Sequence, residues 1–407
     1  MKKSLLAIIA VVILMVCIYA GTIYAADGGD TLNGFAKKTY ESGAVYEGEW
    51  KDGKREGKGT LFFAENDKYG RKEYSGEWKD DKMNGEGKLT YQSGDVYEGD
   101  FVDNVRSGKG VATNPDGAVY EGEWAESKRS GVGTQTYANG NVYKGEWKNG
   151  LRDGQGRFTK PDGSVYIGEW KEGKINGKGA YKYSTGSIYI GEFKNNNRDG
   201  FGKMTNTDGG VYEGEWKDGK RNGEGTFTYA NKNVYVGEFK DDARSGQGTM
   251  NYKNKSVYTG EWAGGKQNGW GTMAYYKKDV YEGEWKDGKW DGQGKMIYAN
   301  GLTYEGGWKE GVYDGEGTYT YANGDLYEGG WKGGIREGYG KLTLANGDVY
   351  EGEWKAGRPD GNGIFTWTNG DVFEGTWGEG KRNGAGKLTL ADGTVKEGLL
   401  ENGKWVE

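Results

Sequence analysis

A pentapeptide of the form Tyr-x-Gly-x-Trp returns along this chain at a fixed spacing. It occurs first at positions 46–50 and again at 74–78, and from Tyr74 onwards the same position recurs every 23 residues up to position 396. The central glycine is present in all sixteen copies, whereas the sixteenth has lost both the Tyr and the Trp. Such self-similarity indicates an array of small, nearly identical repeats.

Each repeat contains two segments in which polar residues alternate with small or apolar ones. Positions 212–216, Tyr-Glu-Gly-Glu-Trp, form the first segment, positions 217–222 are a polar turn, and positions 223–229 alternate again. A period of two predicts a strand with one covered face. Many repeats end in Asn-Gly or Asp-Gly, pairs that accept the positive φ angles of a two-residue hairpin turn. The sequence therefore predicts an all-β fold, an elongated single-layer twisted antiparallel β-meander with one hairpin per 23 residues.

The residue types on which most enzyme chemistry depends are either absent from the repeats or recur in every repeat without marking one site. The chain has no histidine, and its one cysteine, Cys17, lies in an apolar N-terminal stretch. This composition excludes histidine-based triads, His/Cys zinc sites and cysteine nucleophiles in the repeats. The acidic residues, such as Glu213 and Glu215, follow the repeat, so we interpret them as a solvated face paired across strands. We expect no enzyme, no catalytic residue, no metal site and no cofactor.

The charge balance disfavours nucleic acid as a partner. The chain has 55 Lys and Arg against 61 Asp and Glu, a formal net charge of -6, and its basic residues are spread evenly. Phosphate backbones are bound by a net basic surface or by a concentrated basic patch. We therefore expect no nucleic-acid partner.

The N-terminal segment has the composition of an export signal. Lys2 and Lys3 precede an apolar run at positions 5–20, and no charge follows before Asp27. A basic start followed by an apolar run is typical of a secretory signal peptide. The uncharged stretch at 4–26 is also long enough, as a helix, to span a bilayer. Both interpretations predict an exported protein, either periplasmic or extracellular.

Three segments follow from these patterns. Residues 1–26 are predicted to be a signal peptide or an uncleaved membrane anchor, and under the second interpretation the chain associates with the membrane through residues 4–26. Residues 27–33 are a short linker, and residues 34–407 are the repeat array. Five extra residues between the first two repeats, near 65–72, predict a longer loop.

The full repeat closely resembles the MORN repeat, named for membrane occupation and recognition nexus. Positions 212–225 carry the resemblance as Tyr-Glu-Gly-Glu-Trp followed by Lys-Asp-Gly-Lys-Arg-Asn-Gly-x-Gly, and sixteen copies in phase extend it over 34–407. The resemblance implies an elongated, twisted antiparallel sheet that serves as a scaffold, with partner binding or self-association along an aromatic groove. Some members carry a lipid kinase domain after the repeats, and we expect none here. Departures from the family pattern are Phe101, Phe193 and Phe239 for Trp, Phe373 for Tyr, and the degenerate last copy.

The Tyr and Trp of the pentapeptide are the candidate site. Their large rigid rings with polar tips suit recognition. The opposing interpretation is stronger, because a single-layer sheet has no second layer and its own aromatic stripe is then the main available core. If part of the stripe stays exposed, it forms a groove. The candidate groove residues are Tyr143, Trp147, Tyr166, Trp170, Tyr212, Trp216, Tyr281, Trp285, Tyr304, Trp308, Tyr327, Trp331, Tyr350 and Trp354.

These observations lead to three function hypotheses. The first is a non-catalytic scaffold outside the cytoplasm that mediates protein–protein interaction or self-association, since a repeat array presents one face many times. The second is glycan or cell-wall binding through the aromatic groove. The third is phospholipid binding at a membrane, which the family resemblance implies for some members but which a net negative charge disfavours.

Overall fold

All regular structure in the described part of the chain is β-strand. The computed structural model describes residues 23–24 and 31–406. No helix among these residues is long and apolar enough to span a bilayer. The expected signal or anchor at 1–26 lies outside the described residues except for Ile23 and Tyr24, and so does most of the expected linker at 27–33.

The chain divides into two compact units, an N-terminal unit of residues 1–174 and a C-terminal unit of residues 175–407. The strands of the N-terminal unit are β1 (Ile23–Tyr24), β2 (Gly34–Thr39), β3 (Val45–Lys51), β4 (Lys54–Phe62), β5 (Arg71–Lys79), β6 (Lys82–Tyr91), β7 (Val96–Val102), β8 (Val105–Thr113), β9 (Val119–Ala125), β10 (Lys128–Thr136), β11 (Val142–Lys148), β12 (Leu151–Thr159) and β13 (Val165–Lys171).

The C-terminal unit begins within β14, whose first residue closes the N-terminal unit. Its strands are β14 (Lys174–Lys182), β15 (Ile188–Lys194), β16 (Asn197–Thr205), β17 (Val211–Lys217), β18 (Lys220–Thr228), β19 (Val234–Lys240), β20 (Ala243–Asn251), β21 (Val257–Ala263), β22 (Lys266–Ala274), β23 (Val280–Lys286), β24 (Lys289–Ile297), β25 (Thr303–Lys309), β26 (Val312–Thr320), β27 (Leu326–Lys332), β28 (Ile335–Thr343), β29 (Val349–Lys355), β30 (Arg358–Thr366), β31 (Val372–Gly378), β32 (Lys381–Thr389), β33 (Val395–Glu401) and β34 (Lys404–Trp405).

Within each unit, consecutive strands from β2 onwards pair antiparallel, so the predicted all-β hairpin array is confirmed. β17 and β18 show the register, in which Tyr212 faces Phe227 and Gly214 faces Gly225. A bulge follows, because the register shifts after Gly214 so that Trp216 faces Arg221. β1 differs from the other strands because it pairs parallel to β2. The degenerate sixteenth copy still forms a hairpin, from β33 and β34.

The two turns of a repeat differ from the prediction. The turn inside the repeat is shorter than the predicted 217–222, and Asp218 and Gly219 alone make it, with φ of 48° and 84°. The Asn-Gly pairs between repeats were expected in two-residue turns with positive φ at both positions, and this is wrong. At Asn139-Gly140 only the glycine has positive φ, and the Gly140 N–H donates to the carbonyl of Tyr137 in a wider turn.

The one insertion in the array is an ordered loop between β4 and β5, which confirms the predicted longer loop. Asp67 accepts hydrogen bonds from the Arg71 guanidinium at 2.7 and 3.1 Å and from the Arg71 backbone N–H at 3.0 Å. These bonds lower the pKa of the Asp67 carboxyl to about 2. The Arg71 guanidinium also lies 4.1 Å from the centre of the Phe63 ring. The loop is therefore held by charge and aromatic packing together.

The tyrosine ring of each repeat lies over a pair of facing glycines. A Cβ atom on Gly225 would come within 2.5 Å of the Tyr212 hydroxyl oxygen, and one on Gly214 would come within 2.5 Å of the Gly225 Cα. The Tyr212 hydroxyl donates to the carbonyl of Glu215 at 2.9 Å, which fixes the far end of the ring. Only glycine leaves room for this contact, which explains why both glycines recur with the period.

Replacement of Gly225 by alanine is expected to destabilise the array. The added methyl group meets a ring that is buried and held by a hydrogen bond, and such overpacking costs about 1–3 kcal/mol of unfolding free energy. Gly219→Asn is the matched control, because Asn104 and Asn196 occupy the same turn position in other repeats at φ of 70° and 74°. Denaturant unfolding, with amide exchange followed in β17 and β18, measures both. Equal stability of the two variants would contradict this packing.

Alkaline pH is expected to unfold the sheet through its tyrosines. Burial raises the pKa of Tyr275 and of Tyr327 to about 12, whereas a tyrosine in the unfolded chain has a pKa of about 10. The stability that these neutral, buried tyrosines give to the folded sheet is therefore fully present below pH 10. It is lost as the pH rises from 10 through 12, because the phenolate form is disfavoured in the fold. Ultraviolet absorbance of phenolate and circular dichroism, measured together, should change together over this range. Titration of these tyrosines near pH 10 with the sheet intact would refute the expectation.

Candidate functional site

Within each unit, the aromatic stripe is a continuous row of perpendicular rings. The Tyr212 ring lies 5.2 Å from its own Trp216 and 5.0 Å from Phe239 of the following repeat, at 86° and 83°. The Trp216 indole N–H donates to the carbonyl of Gly202, in the preceding repeat, at 3.1 Å. Edge-to-face pairs of this kind stabilise beyond the area that they bury. The stripe thus joins each repeat to both of its neighbours within a unit.

The predicted groove residues belong to this stripe, and their side chains are almost completely buried. Their tyrosines are at most 2% exposed and their tryptophans at most 8% exposed. The buried Trp170 indole N–H is the one such side-chain group in the described residues without a hydrogen-bond partner. Direct ligand contact by these residues stays a prediction, and any ligand on this face first meets the side chains that cover them. The tyrosines and tryptophans concerned are Tyr143, Trp147, Tyr166, Trp170, Tyr212, Trp216, Tyr281, Trp285, Tyr304, Trp308, Tyr327, Trp331, Tyr350 and Trp354.

An arginine covers the tryptophan of the following repeat. The Arg336 guanidinium lies 4.2 Å from the centre of the Trp354 ring and donates to the carbonyl of Gly357 at 2.8 Å. Arg244 lies equally close to Trp262. This arginine layer was not predicted from the sequence. Its signal is nevertheless present there, since an arginine follows the first Tyr by nine residues in most repeats. The guanidinium joins neighbouring repeats by a cation–π contact and a hydrogen bond.

A second row of aromatic residues runs beside the arginines, six residues before the next Tyr of the pentapeptide. Its rings are half-buried, in contrast to the fully buried stripe. Tyr40 occupies this position before the first repeat, and the 23-residue spacing could have revealed the whole row. The half-buried rings give the face an accessible aromatic surface. In the C-terminal unit the row contains Tyr183, Tyr229, Tyr252, Tyr275, Tyr298, Tyr321 and Trp367.

Three consecutive repeats of the C-terminal unit lack the covering arginine. Gln267, Trp290 and Tyr313 stand in its place, between Arg244 and Arg336. We call these three residues, with the half-buried Tyr252, Tyr275 and Tyr298 beside them, the arginine-free segment. Single repeats elsewhere also lack this arginine, with Met83, Ile175 or Pro359 in its place, and the segment is the longest run of consecutive repeats without it.

Two rings of this segment lie flat on the aromatic stripe. Trp290 stacks on Tyr281 at 4.8 Å and 19°, and Tyr313 stacks on Tyr304 at 3.9 Å and 27°. The Tyr313 hydroxyl is 2.7 Å from the Tyr298 hydroxyl. Because each ring is only half-buried and has a core ring beneath it, its other face is turned away from the sheet. Flat, half-buried rings of this kind are suited to contact with a ligand.

The opposite face of the sheet is charged, and its acids have structural roles. Glu213 forms the expected cross-strand ion pair with Lys203, at 3.3 Å, which confirms the interpretation for this residue. Glu284 acts differently, because its carboxylate accepts a hydrogen bond from the Gln293 backbone N–H at the bulge, at 3.2 Å. In the described residues, no group of three or more metal-ligating acid, His or Cys side chains is placed to hold a metal ion.

Exposed aromatic residues interrupt this charged face at one position of the repeat. Phe201, Trp270 and Tyr339 each occupy the variable position between the two glycines of the second strand, and they are 50–61% exposed. Other repeats have Glu224 or Gln247 there. Aromatic side chains in such number and in equivalent positions on a solvated face are typical of contact surfaces.

Solved structures give only weak resemblances. The TCP10 domain of CPAP from Danio rerio, in complex with a STIL peptide, is 13% identical, with 55% of this chain and 90% of that chain covered and a TM-score of 0.28. The TCP10c domain of Sas-4 from Drosophila melanogaster is 16% identical, with 44% and 99% covered and a TM-score of 0.25. Because these scores are low, we infer nothing about function from them. No curated protein matches the chain in sequence.

The sequence itself matches a family model repeatedly. The model of the MORN repeat matches fifteen tandem copies, at residues 46–68 and 74–96 and then without a gap from 97 to 395. These copies cover well over half of the chain and coincide with the hairpins described above. The sixteenth hairpin is not among the matches, in keeping with its lost Tyr and Trp. The chain therefore belongs to the MORN-repeat family.

Proposed function

We propose that this protein is a non-catalytic scaffold that binds protein partners or further copies of itself outside the cytoplasm. The exposed aromatic residues Phe201, Trp270 and Tyr339 carry the proposal, because aromatic side chains dominate the binding energy of protein interfaces. They stand on equivalent positions of a regular sheet, so one partner can contact several of them at once. The extracytoplasmic location is supported by the basic and apolar composition of residues 1–26.

The regular polar residues support the same function by elimination. The arginines cover tryptophans, the acid at the fourth position of the pentapeptide closes the bulge, and the tyrosine hydroxyls bond to backbone carbonyls. Groups with a structural partner in most repeats are poor candidates for chemistry on a substrate. What varies between repeats is the exposed surface, and variable exposed residues on a constant frame are suited to partner recognition.

Site-specific photo-crosslinking tests the proposed function. With a photoreactive phenylalanine analogue at position 270 in the full chain, in its native compartment, we expect covalent adducts with one protein or with a second copy of the chain. Position 224 is the matched control, since it is equivalent in the repeat but polar, and it should give much weaker adducts. The proposal would be refuted if positions 201, 270 and 339 gave no protein adducts, or gave adducts no stronger than those at position 224.

Glycan binding is the second candidate, and the half-buried outer tyrosines favour it because flat rings pack well against sugar rings. If this candidate holds, the chain sediments with insoluble cell-wall polysaccharide, and Tyr229→Ala combined with Tyr252→Ala reduces the bound fraction several-fold. The matched control is Phe201→Ala combined with Trp270→Ala on the opposite face, which should bind as well as the wild type. Loss of binding in the control alone would contradict the glycan candidate. Phospholipid binding is not proposed, because no observation on the described residues favours it.

A further inference from the structure

The exposed aromatic residues of the charged face follow a second, longer period. In the C-terminal unit, Phe201, Trp270 and Tyr339 are each 69 residues apart, which is three repeats. The equivalent positions of the repeats between them are polar and hold Glu224, Gln247, Gln293 and Glu316. Because the three aromatic side chains are 50–61% exposed and lie outside the core, the packing of the repeat does not impose this longer period. It is a property of the surface.

The interval between successive exposed rings matches the width of a small folded domain. Phe201 lies on β16, Trp270 on β22 and Tyr339 on β28, so six strand spacings separate neighbouring rings. At about 4.8 Å per strand, this amounts to about 29 Å along the sheet, and a small domain is about 30 Å across. Rings only two repeats apart would be separated by about 19 Å. An interval of three repeats therefore gives each ring room for one domain of its own.

Carboxylates flank the ring of Trp270 on both neighbouring strands. Trp270 faces Glu284 across β23, on the same side of the sheet. On the other neighbouring strand, β21, the carboxylate of Glu261 accepts a hydrogen bond from the Trp270 backbone N–H at 3.3 Å. Both acids are exposed, and neither forms a salt bridge with a described residue. An exposed aromatic ring between two unpaired carboxylates is complementary to a Lys or Arg side chain.

The other two exposed rings have the same kind of surroundings. Phe201 faces Glu215, and Tyr339 faces Glu353. Neither of these glutamates forms a salt bridge with a described residue. The lysines that follow the two rings on the same face each face a glutamate across the neighbouring strand, and they are Lys203 and Lys341. An exposed ring beside an acid without an ion-pair partner therefore recurs at each of the three positions.

The charge beside the rings favours a basic partner over a second copy of the same face. Two copies that met through these rings would bring Glu261 and Glu284 of one copy close to the same acids of the other. Like charges that meet in an interface disfavour the complex. A partner with Lys or Arg at the contact instead gains both the ring and the carboxylates.

We infer that the charged face binds several copies of one small, basic protein domain, one copy at each of Phe201, Trp270 and Tyr339, with Lys or Arg side chains of the domain against the ring and its neighbouring carboxylates. This inference rests on the proposed function, and it names the chemistry, the number and the spacing of the partners. The array then acts as a ruler that holds identical domains side by side. Partner copies that are themselves linked to one another bind more tightly than a single copy does.

Photo-crosslinking at two positions of the full chain, in its native compartment, tests the number and the spacing. With the photoreactive phenylalanine analogue at 201 and 270 together, we expect adducts that carry two copies of one basic partner. The matched variant has the analogue at 201 and 247 and also Trp270→Gln, which moves one ring by a single repeat. Its fold is retained, because Gln and Trp already occupy this position in different repeats.

The shifted variant is expected to give adducts with one partner copy only, since rings two repeats apart leave too little room for two domains. The analogue at 247 alone, with Trp270→Gln, should still crosslink to the same partner, which shows that the moved ring binds. Two copies on the shifted variant, or one partner molecule that bridges 201 and 270, would overturn the inference.

Charge variants test the chemistry of the partner. Glu261→Gln combined with Glu284→Gln is expected to lower the adduct yield at position 270 several-fold and to leave the yield at position 201 unchanged. Added salt should lower both yields in the wild-type chain. The matched control is Glu77→Gln combined with Glu238→Gln, which removes the same charge at the same repeat position beside polar residues. Equal yields at position 270 in the two variants would overturn the basic partner.

The outcomes separate this inference from the proposed function. If position 270 crosslinks to an acidic protein or to a second copy of the chain, or if positions 201, 270 and 339 crosslink to different proteins, the scaffold function stands and the inference fails. If none of the three positions gives a protein adduct, both fail. One basic partner at all three positions, with two copies at the native spacing and one at the shifted spacing, supports both.

Discussion

The contact between a tyrosine ring and two facing glycines is the constraint on which the repeat depends. It brings the two strands of a hairpin together with no side chain between them, and it places the tyrosine hydroxyl on the carbonyl at the bulge, as Tyr212 does with Glu215. The same ring then contacts the aromatic residues of its own repeat and of the next. A sheet without a covering layer obtains a close-packed core in this way.

The polar residues of the motif follow from that core. Since the bulge leaves backbone N–H groups without a strand partner, a carboxylate such as that of Glu284 accepts one of them. Since a tryptophan of the stripe would otherwise expose one face, an arginine such as Arg336 covers it in most repeats and bonds to the next turn. The charged residues of the motif thus serve largely as hydrogen-bond and cation–π partners within the protein itself. Its acids and bases are explained before any ligand is considered.

The sequence predicted the fold well, because strand alternation and a constant period are local signals that packing reinforces. It failed where a residue type allows more than one geometry. Asn139-Gly140 satisfies both a two-residue turn and the wider turn that is observed, and the choice depends on the strand register. The arginine layer was missed for a related reason, since an Arg in a polar segment looks solvated until the tryptophan of the next repeat is placed beneath it.

The candidate site was only half predictable. The tyrosines and tryptophans of the core stripe could be identified from their spacing, but other side chains cover them. One residue per repeat, at the arginine position, determines whether the ring beneath is covered. Displacing an arginine from a tryptophan costs a ligand about 0.5–2 kcal/mol before it gains any contact. Selection for binding is therefore expected to act on that covering position. Gln267, Trp290 and Tyr313 change both the shape and the charge of the surface at this position, whereas the glycines and the core rings beneath them stay the same. In an array whose frame is constant, we expect recognition where the surface residues of either face, and not the frame, depart from the repeat.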